Sequence, residues 1–253
     1  MDNYTFINKV GIELEGAWAV KPNSLQHDGS VKFEATELEC EHVCHCLECS
    51  ALDPTIIDQG RSCSAKYIGE VASKPIAPRS VSKWVRSAYP QAINPSCGFH
   101  IHVSFKNINS YLVLMDRKFY EFFLTKMQEF GDKNKIPKTH PFWSRLRGEN
   151  RFCKREFNPD KQINEIKKYH DFRYQHLNFC HTLHGTMENR LFPMFKEIDL
   201  AVAAVYTYLD CLEEYLSKNA LEFNKYQEEL EVEEFERVEF DLFSIVQEEL
   251  ECV

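Results

Sequence analysis

Apolar and polar residues alternate with a period of two in three separate stretches of this chain, and in each the polar set is largely ionisable. In VGIELEGAWAV, Val10, Ile12 and Leu14 fall on one side of an expected strand, with Gly11, Glu13 and Glu15 on the other. In CGFHIHVSF, Ile101, Val103 and Phe105 oppose His100, His102 and Ser104. In GTMENRLFPMF, Met187, Asn189 and Leu191 oppose Glu188 and Arg190, and Pro193 closes the segment. A shorter run, KYIGEVASKPI, reads as a strand with Glu70 at its centre, ended by Pro75. HDGSV is a turn signal, followed by an expected second strand from Val31 to Leu38.

Elsewhere the period lengthens. Leu112, Met115, Phe119, Phe122, Phe123, Met127 and Phe130 recur at helical spacing and predict a covering helix from Tyr111 to Phe130. Ile198, Val202, Val205, Leu209, Leu212 and Leu216 predict another from Lys196 to Leu216. Residues 131–160 are polar and basic and read as an irregular loop over a site. A further helix is expected to begin near Lys161 and to include YHDFRYQHLNF.

With 253 residues, the chain suffices for one large domain, or a domain with an appendage. No apolar run approaches the roughly 20 residues of a membrane span, and MDNYTFINKV is not composed like a signal peptide, so the expected location is the cytoplasm. The net charge of −9 is unevenly placed: Glu213 to Val253 hold 14 acidic and 3 basic residues. This acidic tail keeps enough Val, Phe, Leu and Ile either to pack as a last helix or to meet a protein partner. Residues 133–173 carry 12 Lys and Arg against 5 Asp and Glu, an excess suited to an anionic ligand or to a solvated loop; no nucleic-acid module accompanies it.

Of 10 cysteines, Cys40, Cys44, Cys46, Cys49 and Cys63 fall within 24 residues, which suggests metal rather than disulfides. Cys44, Cys46 and Cys49, with Cys40 or Cys63 as the fourth ligand and His42 or His45 as substitutes, suit a closed structural zinc site. Free buried thiols are the competing reading.

Three strands thus share one design, with an apolar face and an ionisable face carrying Glu13 and Glu15, His100 and His102, and Glu188 and Arg190. Burying such a set against hydrocarbon is costly, so the face is expected to line a cavity that holds counter-charge. Paired carboxylates suit magnesium or manganese, imidazole can hold a metal or contact phosphate, and arginine stabilises phosphoryl charge.

The ordered set GIELEGAW, DGSV, GEVASKP, NPSCGFHIHVSF, RFC and HLNFCHTLHGTMENRLF resembles the amidoligase family, carboxylate–amine ligases related to glutamine synthetase and glutamate–cysteine ligase, over roughly residues 8 to 212. The resemblance implies an α+β fold, a curved antiparallel sheet of the glutamine-synthetase-like type with helices packed on one face and ATP and magnesium on the concave face. It divides the chain into a catalytic domain, 1–215, with a cysteine-rich insertion at about 39–64, and an acidic extension, 216–253. The implied reaction is ATP-dependent amide formation between a small-molecule or peptide carboxylate and an amine, through an acyl phosphate.

By motif match, Glu13, Glu15, Glu70 and Glu188 are implied metal ligands and His102 a phosphate or metal contact, with His100 read as a cofactor-binding residue or as a supporting partner of that contact. Arg190 is matched to the phosphoryl group or substrate carboxylate, Arg147 and Arg151 to the nucleotide phosphates, and Trp18 and Asp28 to the substrate side. Glu70 and Arg147 carry the competing reading of surface residues. Two other classes stay open: a metal-dependent hydrolase using the Glu/His cluster, and a zinc-stabilised binding module with an idle site.

Overall fold

The computed structural model describes residues 4–27, 31–33, 39–40, 63–106, 113, 116–158, 174–180 and 185–219. It is α+β. Six strands form an open antiparallel sheet in the order β2-β5-β1-β6-β8-β7. These are β1 (Ile7–Trp18), β2 (Leu25–Gln26), β5 (Tyr67–Ala72), β6 (Gly98–Phe105), β7 (Leu177–Cys180) and β8 (Thr186–Pro193). A separate ladder pairs β3 (Glu39–Cys40) with β4 (Cys63–Ser64). Among the described residues the helices are α1 (Val81–Ala88), α2 (Arg117–Lys133), α3 (Pro141–Arg147) and α4 (198–219). None is long and apolar enough to cross a membrane.

The alternation expected in β1, β6 and β8 is realised. Val10, Ile12 and Leu14, Phe99, Ile101 and Val103, and Met187 and Leu191 join one core with Phe119, Phe123, Met127 and Phe130 of α2 and Val202, Val205, Leu209 and Leu212 of α4. Each large apolar side chain so buried contributes roughly 1.5–3 kcal/mol, which fixes which sheet face turns inward. The helix α4 continues past the expected boundary at 215, and Leu216 is itself core.

Three expectations are corrected. Residues 131–160 are not wholly irregular, because they contain α3: Pro141 opens it, His140 Nδ1 accepts the Phe142 N–H at 3.2 Å, and Gly148 at φ 77° ends it. A side chain at Gly148 would strike the Arg155 backbone nitrogen at 2.4 Å, so the turn requires glycine. Residues 177–180 are strand rather than helix, because Leu177 and Asn178 pair with Asn189 and Glu188 of β8, and that pairing overrides local spacing. Val31 to Phe33, the start of the expected second strand, are irregular; the Leu25–Gln26 pair borders β5 instead. Of the predicted helix over 111–130, α2 holds the part from Arg117 on, its start set where the Asp116 side chain accepts the Lys118 N–H at 2.8 Å; Tyr111, Leu112, Met115 and the proposed helix start near Lys161 lie outside the described residues.

Candidate active site

The ionisable faces of β1, β6 and β8 meet in register. Glu13 stands opposite His100, and Gly11 opposite His102; across the other edge of β6, His102 stands opposite Glu188. One row further out, Asn178 of β7 faces Glu188 and donates from Nδ2 to its Oε2 at 2.7 Å. On the far side, Glu70 of β5 lies opposite Glu15 of β1 and Gln26 of β2.

His100 is the hub. Its Nδ1 lies 3.2 Å from Glu13 Oε2 and 3.5 Å from Glu188 Oε1, while Nε2 lies 3.7 Å from Glu15 Oε1. His102 Nε2 lies 3.1 Å from Glu13 Oε1, and its Nδ1 lies 3.3 Å from Thr186 Oγ1. Glu13 therefore presents one oxygen to each histidine. Glu15 is anchored by the backbone, its Oε2 accepting the Gly98 N–H at 2.5 Å.

A bulge in β8 aims the arginine. Phe99 pairs with Phe192 but Ile101 pairs with Asn189, so β8 carries one extra residue opposite His100. Before the bulge, Glu188 and Arg190 share the polar face, and Arg190 Nη1 lies 2.5 Å from Glu188 Oε1. After it, Phe192 returns to the core and stacks on Phe142 at 6.3 Å.

Charge compensation is local. Burial opposes ionisation of Glu188, but Arg190, then His102 and His100, outweigh it and hold the carboxyl at about 2. Burial likewise opposes the charge on Glu13, and hydrogen bonds from His100 and His102 hold that carboxyl well below its ordinary range. Burial works against the Arg190 charge too, yet Glu188, Glu15 and Glu13 push its pKa upward.

Arg145 is the buried basic residue that sequence reasoning missed. It lies behind the site, donating to the carbonyls of Arg190 and Cys97, both at 3.3 Å. His176 Nε2–H donates to the Arg145 carbonyl at 2.8 Å, and the Arg190 N–H donates to the His176 carbonyl at 2.9 Å. These contacts close a ring through Arg145, His176 and Arg190. The signal was PFWSRLRG, a helix opened by proline and stopped by glycine, which puts Phe142, Arg145 and Leu146 on one face.

The two arginines chosen from the basic stretch are engaged elsewhere. Arg147 is exposed and clasps Glu149 with two bonds of 2.7 Å. Arg151, also exposed, lies over its neighbour Phe152 at 4.4 Å from the ring centre. Trp18 is a core residue, its indole N–H donating to the Ala88 carbonyl at 2.9 Å. Asp28, His42, Cys44, His45, Cys46 and Cys49 lie outside the described residues; the backbones of Cys40 and Cys63 are direct partners in the β3–β4 ladder.

Among the described residues, Glu13, His100 and Glu188 can each offer one ligand atom with all three within 4.8 Å of one another. Two carboxylate oxygens and an imidazole nitrogen fit an oxygen-preferring divalent ion such as magnesium or manganese that also accepts nitrogen. His100 thus joins the candidate ligands. No family model, curated protein or solved structure matches the chain.

Proposed function

We propose that the chain is an ATP-dependent carboxylate–amine ligase, the activity implied by its resemblance to amidoligases. The observation that carries this reading is the convergence of Glu13, Glu15, Glu188, His100, His102 and Arg190 on one buried sheet face. That face pairs a surplus of anionic oxygens with one fixed cation. Glu13, His100 and Glu188 would hold a magnesium or manganese ion, which when bound neutralises phosphate oxygens.

In this reading the substrate carboxylate oxygen attacks the γ-phosphorus of ATP, the bond to ADP breaks, and an acyl phosphate forms. The amine nitrogen then attacks the acyl carbon, phosphate leaves, and the amine gives up a proton. Arg190, held in place by Glu188, faces the phosphoryl oxygens and stabilises the negative charge that grows on them. Glu13, kept anionic by its two histidine neighbours, and Glu15, fixed by the Gly98 N–H, orient the polyphosphate's counter-charge. His102, steadied by Thr186, contacts a phosphate oxygen.

Calorimetry with a non-hydrolysable ATP analogue and either magnesium or manganese tests the reading, followed by a screen of acids and amines for phosphate release from ATP. Binding with acid- and amine-dependent release supports the ligase. No binding with either metal removes it, and substrate cleavage without ATP transfers the site to a metal-dependent hydrolase.

The cysteine-rich insertion we read as a structural zinc site, a proposal favoured by the ladder that sets Cys40 opposite Cys63. Elemental analysis of chelator-free protein is expected to give about one zinc per chain. A triple serine variant at Cys44, Cys46 and Cys49 with undiminished zinc removes those ligands.

A further inference from the structure

Gly98 stands at the start of β6, two residues before His100 and on the same face. A Cβ built there would lie 2.5 Å from His100 Nε2 and 3.2 Å from Glu15 Oε2, inside any permitted contact with the ring. Its φ is not positive, so the backbone would accept alanine without strain. The obstruction is the imidazole itself, which lies down along the strand over the bare Cα.

The pose explains the reach of His100. Lying over Gly98, the ring points Nε2 toward Glu15 while Nδ1 faces Glu13 and Glu188, so one imidazole addresses carboxylates from both neighbouring strands. Gly11 is different, because a Cβ there would meet His102 Cβ at 3.2 Å and not the ring nitrogens. Two glycines thus face two histidines, and only Gly98 gives up its volume to a ring.

We propose that Gly98 is a positioning residue of this site: its missing side chain leaves the space in which His100 turns both nitrogens toward the three carboxylates. The inference rests on the metal-binding part of the proposed function for its consequence, but its geometry can be tested without metal.

The experiment compares wild type, Gly98→Ala, His100→Ala and the double variant. In metal-free protein, the imidazole nitrogen resonances of His100 are recorded by NMR; in parallel, manganese affinity is measured by calorimetry and folding by thermal melting. Gly98→Ala is expected to shift the His100 resonances, to weaken manganese binding roughly ten-fold or more, and to melt near wild type. In the His100→Ala background the same alanine is expected to weaken binding less than two-fold further, since the ring it strikes is gone.

Unshifted His100 resonances, wild-type manganese affinity in Gly98→Ala, or an undiminished effect in the His100→Ala background would each overturn the proposal. Should Gly98→Ala fail to fold, the double variant is expected to fold again, and its failure also overturns the idea. If wild type binds no manganese, the metal reading falls while the resonances still decide the role of Gly98.

Discussion

His100 and His176 are both buried, 4% and 0% exposed, yet their surroundings differ in kind. His176 sits between a donor and an acceptor. The Tyr120 hydroxyl donates to its Nδ1 at 3.0 Å, its Nε2–H donates to the Arg145 carbonyl, and burial holds its pKa down at about 4. His100 faces oxygens of three carboxylates with at most two N–H groups to give. One network is complete by itself and the other has more acceptors than donors. Burial therefore does not separate a structural histidine from a site histidine here; the mismatch of donors and acceptors does.

The largest test of that contrast is Glu188→Gln. The substitution keeps shape but removes charge, and is expected to weaken manganese binding by about 10² or more, with turnover falling by a similar factor once a substrate pair is known. It also leaves the buried Arg190 without its carboxylate, a loss of about 3–5 kcal/mol in chemical denaturation. Adding His102→Ala is expected to cost clearly less than its effect alone, because residues acting as a unit fail together. Full manganese affinity in both single variants would reduce the polar face to the status of the His176 network.

The reverse case is His176→Phe. It orphans the Tyr120 hydroxyl and takes one of two donors from the Arg145 carbonyl, which keeps the Gly148 N–H, and is expected to cost about 2 kcal/mol of stability while leaving manganese affinity within two-fold. A ten-fold loss of affinity would show that the two regions are coupled through the ring behind Arg190.

Acid sharpens the comparison further. His176 falls from 6.5 in the unfolded chain to about 4 in the fold, so between those values only the unfolded state takes up its proton. Stability is expected to drop as pH falls through that window, by up to about 3 kcal/mol, and His176→Gln should flatten it. Glu188 falls from 4.5 to about 2, so its contribution is present above 4.5 and is lost as pH drops further. Denaturation midpoints from pH 7 to pH 2.5 separate the two windows.

The smallest effects are expected outside both regions. Arg147→Ala removes only an exposed clasp with Glu149 and should change neither the melting temperature nor the affinity for an ATP analogue; a clear loss of affinity would restore its assignment to the nucleotide phosphates. Deleting residues 220–253 should leave the melting temperature within a few degrees, since Leu216 already closes α4 against the core. An insoluble truncation would show that Phe235, Leu242 and Ile245 complete it.

Much of this was legible in the sequence where one physical rule acted alone. The faces of β1, β6 and β8 follow from period-two alternation, because one side had to be buried in hydrocarbon, and so Glu13, Glu15, His100, His102, Glu188 and Arg190 were chosen together. Which histidine becomes the hub was not legible, since it depends on cross-strand register and on the bare Cα at Gly98. The β8 bulge was invisible for a similar reason: alternation in MENRLF is unbroken to Leu191, and only pairing with β6 reveals the extra residue. Arg145 and Arg147 differ by two positions on one short helix, and only its start and stop decide which turns inward. Strand β7 was misread because its pairing with β8 is a long-range event that local spacing does not record.

The ring through Arg145, His176 and Arg190 bears on motion. Each member binds the carbonyl of the next, so the linkage has no loose end from which to peel. Opening it calls for several bonds to break together, and the wall behind the polar face is held to the slowest, cooperative motions of the chain. The Arg190 amide proton is expected among the last to exchange with heavy water, at the rate of global unfolding, while the Arg147–Glu149 clasp, a few residues from Arg145, stands exposed to solvent.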